Sequence, residues 1–326
     1  MLVFPTAALL VTALIPPAVP TQGPAANTTA TAPIRVEKAD LLLGSIAVIG
    51  ASVSGGAGNS RELEVRRDVP LGVFLKGALS DEQAKASRFL DLGDRFFFMN
   101  PDVKGHVQVS KAQAFEPTLV VALDFLFWFA YGERSLDSPR RAKGLERGLK
   151  LLERFDCPMV IGDLPDIDHA LAGVGPFGGP IVHRGLFPRT DERLAMNRRL
   201  TEWARERRNV TVIPISGLIT KMIGGKPIEL RGNSWTVKSI PDALQKDRLH
   251  PTVKGSVWTA LHVADAIARL EKTAASRFAW DVARTRARVL ALTEDEREAK
   301  RKAAERRAAR RKKSEERRKE REQAGR

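Results

Sequence analysis

The feature that most limits the fold is a recurrence of short apolar runs separated by helix-like stretches. The first, Leu41-Leu-Leu-Gly-Ser-Ile-Ala-Val-Ile-Gly50, ends in a serine and glycine cluster. Its length and bounding glycines predict a buried strand followed by a turn. Similar runs follow at Leu71–Leu75, Thr118–Leu123, Met159–Ile161 and Val210–Pro214. Between them lie stretches of helical character. Asp81–Leu92 has Ser80 as N-cap, and Gly144–Phe155 carries Leu145, Leu149, Leu151 and Leu152 on one side. Asp191–Arg208 and Val253–Leu270 complete the set. Strands alternating with helices predict a parallel sheet covered on both faces. Five strands suit a three-layer α/β/α sandwich, in which chemistry sits at the carboxyl ends of the strands.

The flanks have a different composition. Met1–Val19 carries no charged side chain and is long enough for the apolar region of a signal peptide, although a basic leader is missing. Pro5, Pro16 and Pro17 disfavour a regular membrane-spanning helix. The expectation is export to a periplasmic or secreted location, set against a cytoplasmic chain with a disordered or mis-started N-terminus. Pro20–Pro33, rich in Thr, Ala and Pro, reads as a flexible linker. The chain thus divides into a signal-like segment and linker over 1–33, a folded domain over 34–292, and a basic tail over 293–326. That tail opens on a capping-box sequence, Thr293-Glu-Asp-Glu296, and carries fifteen basic and nine acidic side chains. Almost no apolar stripe follows Leu292, so the tail is either a solvated single helix or a charge-rich segment that frays. The net charge of +15 favours anionic partners: nucleic acid, lipid head groups or acidic polysaccharide. Tethering to an anionic polymer or membrane surface is one expectation for the tail, and a solvated helix without a partner is the other. No recognition motif supports specific nucleic-acid binding. The single cysteine, Cys157, excludes an internal disulfide and any multi-cysteine metal site, and reads as a small core residue.

Two local features could carry chemistry. Gly50-Ala51-Ser52-Val53-Ser54-Gly55-Gly56 stands at the end of the first run. A nucleophilic serine needs a turn that projects its hydroxyl, with backbone N–H groups nearby for a developing oxyanion. The spacing is not that of the G-x-S-x-G elbow, and Gly/Ser turns after a first strand also bind phosphate or merely connect. Asp247-Arg-Leu-His250-Pro-Thr-Val-Lys-Gly255 precedes the last predicted helix. A histidine can take and return the serine proton while a carboxylate orients its imidazole. In isolation, Asp247 capping a turn beside a surface His250 explains the same residues.

The two blocks together resemble the first and last conserved blocks of the SGNH/GDSL hydrolases, over about Ala47 to Leu270. The resemblance implies a flavodoxin-like α/β/α fold and no cofactor. It also implies Ser52 as nucleophile, ahead of Ser54, with His250 as general base and acid and Asp247 as the orienting carboxylate. An ester hydrolase or deacylase working through an acyl-enzyme is the expected function. The alternative is a catalytically weak binding domain, because the family pattern is incomplete. Ala51 stands where the family has Asp. Besides the Ser52 amide, the oxyanion donors implied are Gly77 and, at the end of the third strand, Asp124 where the family carries Asn. An ionised carboxylate accepts hydrogen bonds and would repel an oxyanion, so Asn59 or Asn100 are the alternative donors. The cluster Phe125–Tyr131 reads mainly as core, with Trp128 as the candidate pocket residue. Gly173–Pro180 resembles the family's cleft-shaping loop. His106, His169, His183 and His262 show no ligand-like spacing, His262 reads as structural, and no metal site is expected. The ester remains open among acylated carbohydrates, lipids and peptidoglycan-linked acyl groups.

Overall fold

A computed structural model describes residues 38–132, 138–175 and 178–324; the expected signal-like segment and linker lie outside them. Five strands form one parallel sheet: β1 (Ser45–Val48), β2 (Arg88–Asp91), β3 (Leu119–Ala122), β4 (Met159–Gly162) and β5 (Val210–Ile213), in the order β2-β1-β3-β4-β5. Every neighbouring pair is parallel, and the order is that of the flavodoxin-like doubly wound fold. The period of two along each strand sorts its residues into two cores. Ile46, Val48, Leu119, Val121 and Val160 face one core. Ala47, Ile49, Val120, Ala122, Met159 and Ile161 face the other. The fold is a three-layer α/β/α sandwich.

The helices are α1 (Lys38–Leu42), α2 (Leu71–Ala78), α3 (Asp81–Ala86), α4 (Pro101–Ala114), α5 (Phe127–Tyr131) and α6 (Ser138–Leu152). They continue with α7 (Thr190–Arg205), α8 (Ile215–Ile223), α9 (Ile240–Ala243), α10 (Val253–Leu270), α11 (Val282–Leu292) and α12 (Glu294–Ala324). Helices α2 and α10 lie on the first face, and α2 also packs on α11. Helices α4 to α7 cover the second. The 18-residue α10 has twelve buried residues, so it is a core helix rather than a half-solvated one. A hairpin, β6 (Ile228–Leu230) with β7 (Asn233–Trp235), turns at Arg231 and Gly232, both with positive φ, and lies against α10. Among the described residues no helix is long and apolar enough to cross a membrane.

Two sequence expectations change here. Leu71–Leu75 is helical, not a strand. Its apolar residues belong to a run in which Leu71, Phe74, Leu75 and Ala78 are all buried, the i, i+3, i+4, i+7 spacing of a helix face. The second strand instead falls inside the expected helix Asp81–Leu92. Ser80 does cap a helix, accepting from Gln83 N at 3.2 Å, but α3 ends at Ala86 and β2 begins two residues on. Strand β2 is one of the two sheet edges, and its Arg-Phe-Leu-Asp residues are half-buried or exposed, so no apolar run marks it.

The tail is helical: α12 runs straight on from α11. Thr293 does not cap it through its side chain; the hydroxyl donates back to Val289 O at 2.9 Å. Arg66 donates to Ala299 O at 3.0 Å, clipping the start of α12 to the loop that follows the Ser52 turn.

That loop is held by Asn59, which is 2% exposed. It accepts from Val69 N at 2.8 Å and donates to Val69 O at 2.7 Å, imitating a strand pairing. Asn59→Ala would strand both buried backbone groups, at about 1–3 kcal/mol for an unsatisfied group. Urea unfolding should register a loss of roughly 2–3 kcal/mol; a variant within error of the parent would contradict this role.

Candidate active site

The sheet order reverses between β1 and β3, the switch point at which doubly wound sheets open a crevice. Ser52 follows β1 and Asp124 follows β3, so both stand at that crevice. Gly50 enters the turn at φ 147°, and a Cβ there would lie 2.2 Å from Asp124 Oδ1; only glycine fits. The Gly50 backbone is clamped by Gln108 of α4, whose Oε1 accepts from Gly50 N at 2.9 Å and whose Nε2 donates to Gly50 O at 2.8 Å. Asp124 then organises the next residues. Its carboxylate accepts from Ala51 N at 2.9 Å, Val53 N at 2.7 Å, Ser54 N at 3.3 Å and Ser54 Oγ at 2.5 Å. Three of the four amides from 51 to 54 are thereby consumed, and the one it leaves is that of Ser52. Burial pushes the Asp124 carboxyl above its ordinary range, while these hydrogen bonds act in the opposite sense.

The second half of the site is the loop before α10. Asp247 Oδ2 lies 2.8 Å from His250 Nδ1, and Asp247 Oδ1 accepts from Leu249 N at 2.9 Å and His250 N at 3.0 Å. Burial favours the neutral acid, but the His250 side chain and the two amides outweigh it and hold the Asp247 carboxyl below its ordinary range. Arg248 adopts φ 56° to make this tight loop. Gly173 presses on it from outside: a Cβ would lie 1.9 Å from Asp247 O, and Val174 N donates to Lys246 O at 2.8 Å. Of the glycine-rich loop, Pro176 and Phe177 lie outside the described residues.

The two halves meet. Gln245 Nε2 donates to Ala57 O at 2.8 Å, and Glu62 accepts from Val253 N at 2.8 Å, joining the Ser52 turn to the Asp247–His250 loop. Ser52, Leu249 and Pro251 line one cavity of about 170 Å³. No hydrogen bond joins Ser52 Oγ to His250: the Nε2 atom is buried without a partner. The carboxylate–imidazole pair is therefore formed, and the outer imidazole nitrogen is uncommitted.

The expected oxyanion donors fare differently. Gly77 lies in α2, where a Cβ would meet Val289 of α11 at 2.8 Å; it faces another helix, not the cavity. Asp124 is an acceptor of four hydrogen bonds and offers no donor. Asn59 is fully engaged with Val69, and Asn100 caps α4 by accepting from Val103 N at 3.1 Å. The glycine that truly follows the second strand is Gly93, which packs so tightly on Ser54 and Gly55 that a Cβ would lie 2.3 Å from Gly55 N. Gln108 had no sequence signal, being one glutamine in a helix of mixed composition.

The aromatic cluster divides. Phe125, Phe129 and Tyr131 are buried in the second core, while Phe127 and Trp128 line the cavity. Trp128 also packs on Phe98 with ring centroids 5.6 Å apart. His169 lines the cavity with Nδ1 buried and unpartnered, and burial holds its imidazole below the usual value. His262 of α10 also lines it; burial pulls its imidazole down to about 4, so it is neutral at neutral pH. Cys157 is half-buried and lines no part of the cavity, and burial pushes its thiol up to about 11. Among the described residues no group of three or more His, Cys, Asp or Glu side chains could hold a metal ion.

No protein-family profile and no curated relative matches the sequence. Among solved structures the fold is similar to a protein of Bacteroides fragilis assigned as an acylhydrolase. That similarity has 13% identity and a TM-score of 0.39 over 71% of this chain and 88% of that one. It is also similar to a GDSL-like lipase of Bacteroides thetaiotaomicron, at 11% identity and a TM-score of 0.37 over 71% and 89%.

The role given to Asp124 has a direct test. In Asp124→Asn an amide N–H₂ would face backbone N–H groups, leaving donors unpaired. Hydrogen exchange at Ala51, Val53 and Ser54 should accelerate at least tenfold relative to the β3 and β4 amides. Unchanged protection of those three amides would rule out the clamp.

Proposed function

We propose that the chain is a serine hydrolase of the SGNH/GDSL type, cleaving a carboxylic ester through an acyl-enzyme. The observation that carries this reading is the convergence on one cavity of the Ser52 turn and the loop that holds the Asp247–His250 pair, which lines it through Leu249 and Pro251, with His250 Nε2 uncommitted. In the proposed reaction Ser52 Oγ attacks the acyl carbon while His250 Nε2 takes its proton. Asp247 holds Nδ1–H and stabilises the imidazolium. The Ser52 N–H, left free by Asp124, donates to the oxyanion, and His250 returns the proton to the departing alcohol oxygen. Water, deprotonated by His250, then attacks the acyl-serine, and collapse releases the acid and restores the Ser52 hydroxyl.

A second reading, that the domain binds more than it catalyses, is favoured by one observation: Asn59 and Asn100 are engaged elsewhere and Asp124 accepts. Loss of one oxyanion donor costs about 10²–10³ in kcat. Labelling with a fluorophosphonate separates the readings. Stoichiometric modification mapped to Ser52, absent in Ser52→Ala and slowed at least a hundredfold in His250→Ala, supports hydrolysis. An unlabelled Ser52 in folded protein favours the binding domain.

The basic tail is proposed to tether the domain to an anionic polymer or surface. Between Ala299 and Lys313 nine Lys or Arg side chains accompany a single Glu305. Arg66 of the domain extends the charge, lining a surface cleft with Lys302, Arg306, Arg307 and Arg310. Such binding weakens steeply with salt. Retention on heparin should fall sharply between 50 and 200 mM salt, roughly as expected for several ionic contacts, and removal of 294–326 should move elution to clearly lower salt. Equal retention of the truncated chain would dismiss the tether.

A further inference from the structure

The cavity is longer than a site for the ester group alone requires, and its walls repeat a pattern. Helix α8 contributes Ile215, Leu218, Ile219 and Met222, and α10 contributes Gly255, Trp258, Thr259 and His262. Both sets follow the i, i+3, i+4, i+7 spacing, so two helix faces flank one channel. The channel starts where α8 leaves β5 and α10 leaves the His250 loop, which is also where Ser52 stands. Gly162 lets Ile215 pack closely on the end of β4 here, since a Cβ there would lie 2.3 Å from Ile215 Cδ1. Met222 and His262 stand two turns further on, and the hairpin closes that end. Ile228 and Trp235, 6% and 8% exposed, face each other across the β6–β7 ladder, and Trp235 stacks on Trp258 at 5.3 Å.

We infer that this channel holds the acyl group of the substrate, and that the group is a medium-length alkyl chain of roughly six to eight carbons. The inference rests on the hydrolase reading for the identity of the bond that is cleaved. The size follows from the volume. A dry apolar cavity of about 150 Å³ takes one benzene, and this one measures about 170 Å³. An acetyl group would leave most of it unfilled, and a palmitoyl group would not fit. The choice of acyl over alcohol follows from the closed end. The acyl group stays bonded to Ser52 while the alcohol departs and water enters, so a blind channel suits the part that stays. An alcohol lodged there would have to leave past the acyl-serine.

Two measurements test this, one of them independent of catalysis. Calorimetry on Ser52→Ala protein with neutral, uncleavable amides should show affinity rising about fourfold per methylene from butanamide to octanamide and no further to dodecanamide. On the wild type, kcat/KM for p-nitrophenyl esters should rise about a hundredfold from acetyl to hexanoyl and fall by palmitoyl. Ile219→Trp and, as a gentler change that keeps the fold, Thr259→Leu should each lower the octanoyl-to-acetyl ratio at least tenfold. If Ser52 is not labelled by fluorophosphonate but octanamide still binds with this length dependence, the channel assignment stands and the hydrolase reading falls. If Ser52 is labelled but acetyl and octanoyl esters react alike, or octanamide binds no better than butanamide, the channel assignment is overturned.

Discussion

The geometry of the crevice depends on one buried carboxylate. Asp124, at the end of β3, gathers three amides and a hydroxyl from the turn that leaves β1. Four donors converging on two oxygens offset part of what it costs to bury a charge, although burial still holds the carboxyl above its ordinary range. The same contacts decide which amide of the turn remains free. Gln108 secures the residue before the turn from the opposite face. Ser52 is thus held at the ends of β1 and β3 with α4 behind them, without a hydrogen bond to its own hydroxyl.

The device recurs along the sheet. Asp91, closing β2, accepts from Gly72 N at 3.0 Å and so fixes the first turn of α2; burial raises its carboxyl to about 6. Asp163, following β4, accepts from Ser216 N at 2.7 Å and from the Ser216 hydroxyl, fixing the start of α8. Burial pushes Asp163 upward as well, against those hydrogen bonds. Three strand ends therefore each carry an acid that anchors the N-terminal part of a neighbouring segment, where unsatisfied amides and the helix dipole favour negative charge. Catalytic-looking carboxylates at the top of this sheet are mostly architectural, and among the described residues only the Asp247 carboxylate is hydrogen-bonded to an imidazole.

What the sequence disclosed follows the physics of burial. β1, β3 and β4 are inner strands, and their apolar runs stand out against polar connections; β5 is the opposite edge and half-buried, yet it keeps an apolar run in Val210–Ile213. β2 lies at the edge, buries little, and leaves no run to find. The buried helix α2 produced an apolar stretch that imitates a strand over five residues, and its wider spacing was the discriminating mark. Gly77, a donor the resemblance implied, consequently lies in α2 and faces α11 instead of the cavity. The Ser52 turn and the Asp247–His250 loop were legible because their residue types are unusual in sequence. Their junction through Gln245 and Ala57 was not, because a side chain reaching a carbonyl 188 residues away leaves no local pattern. The channel walls were half legible: both stripes have helical spacing, but nothing in one chain says that two stripes face each other.

The hairpin of β6 and β7 shares none of the hydrogen bonds that fix the Ser52 turn or the Asp247–His250 loop. Its tie is to the later part of the chain, through Asn233 Nδ2 donating to Trp280 O at 2.9 Å and the stacked tryptophans. Depth and reactivity are consequently separable traits in this architecture. Drift at Ile228 or Trp235 can deepen or shorten the blind end while the reacting groups keep their positions, so descendants of such a chain could diversify in what they accept without rebuilding how they act.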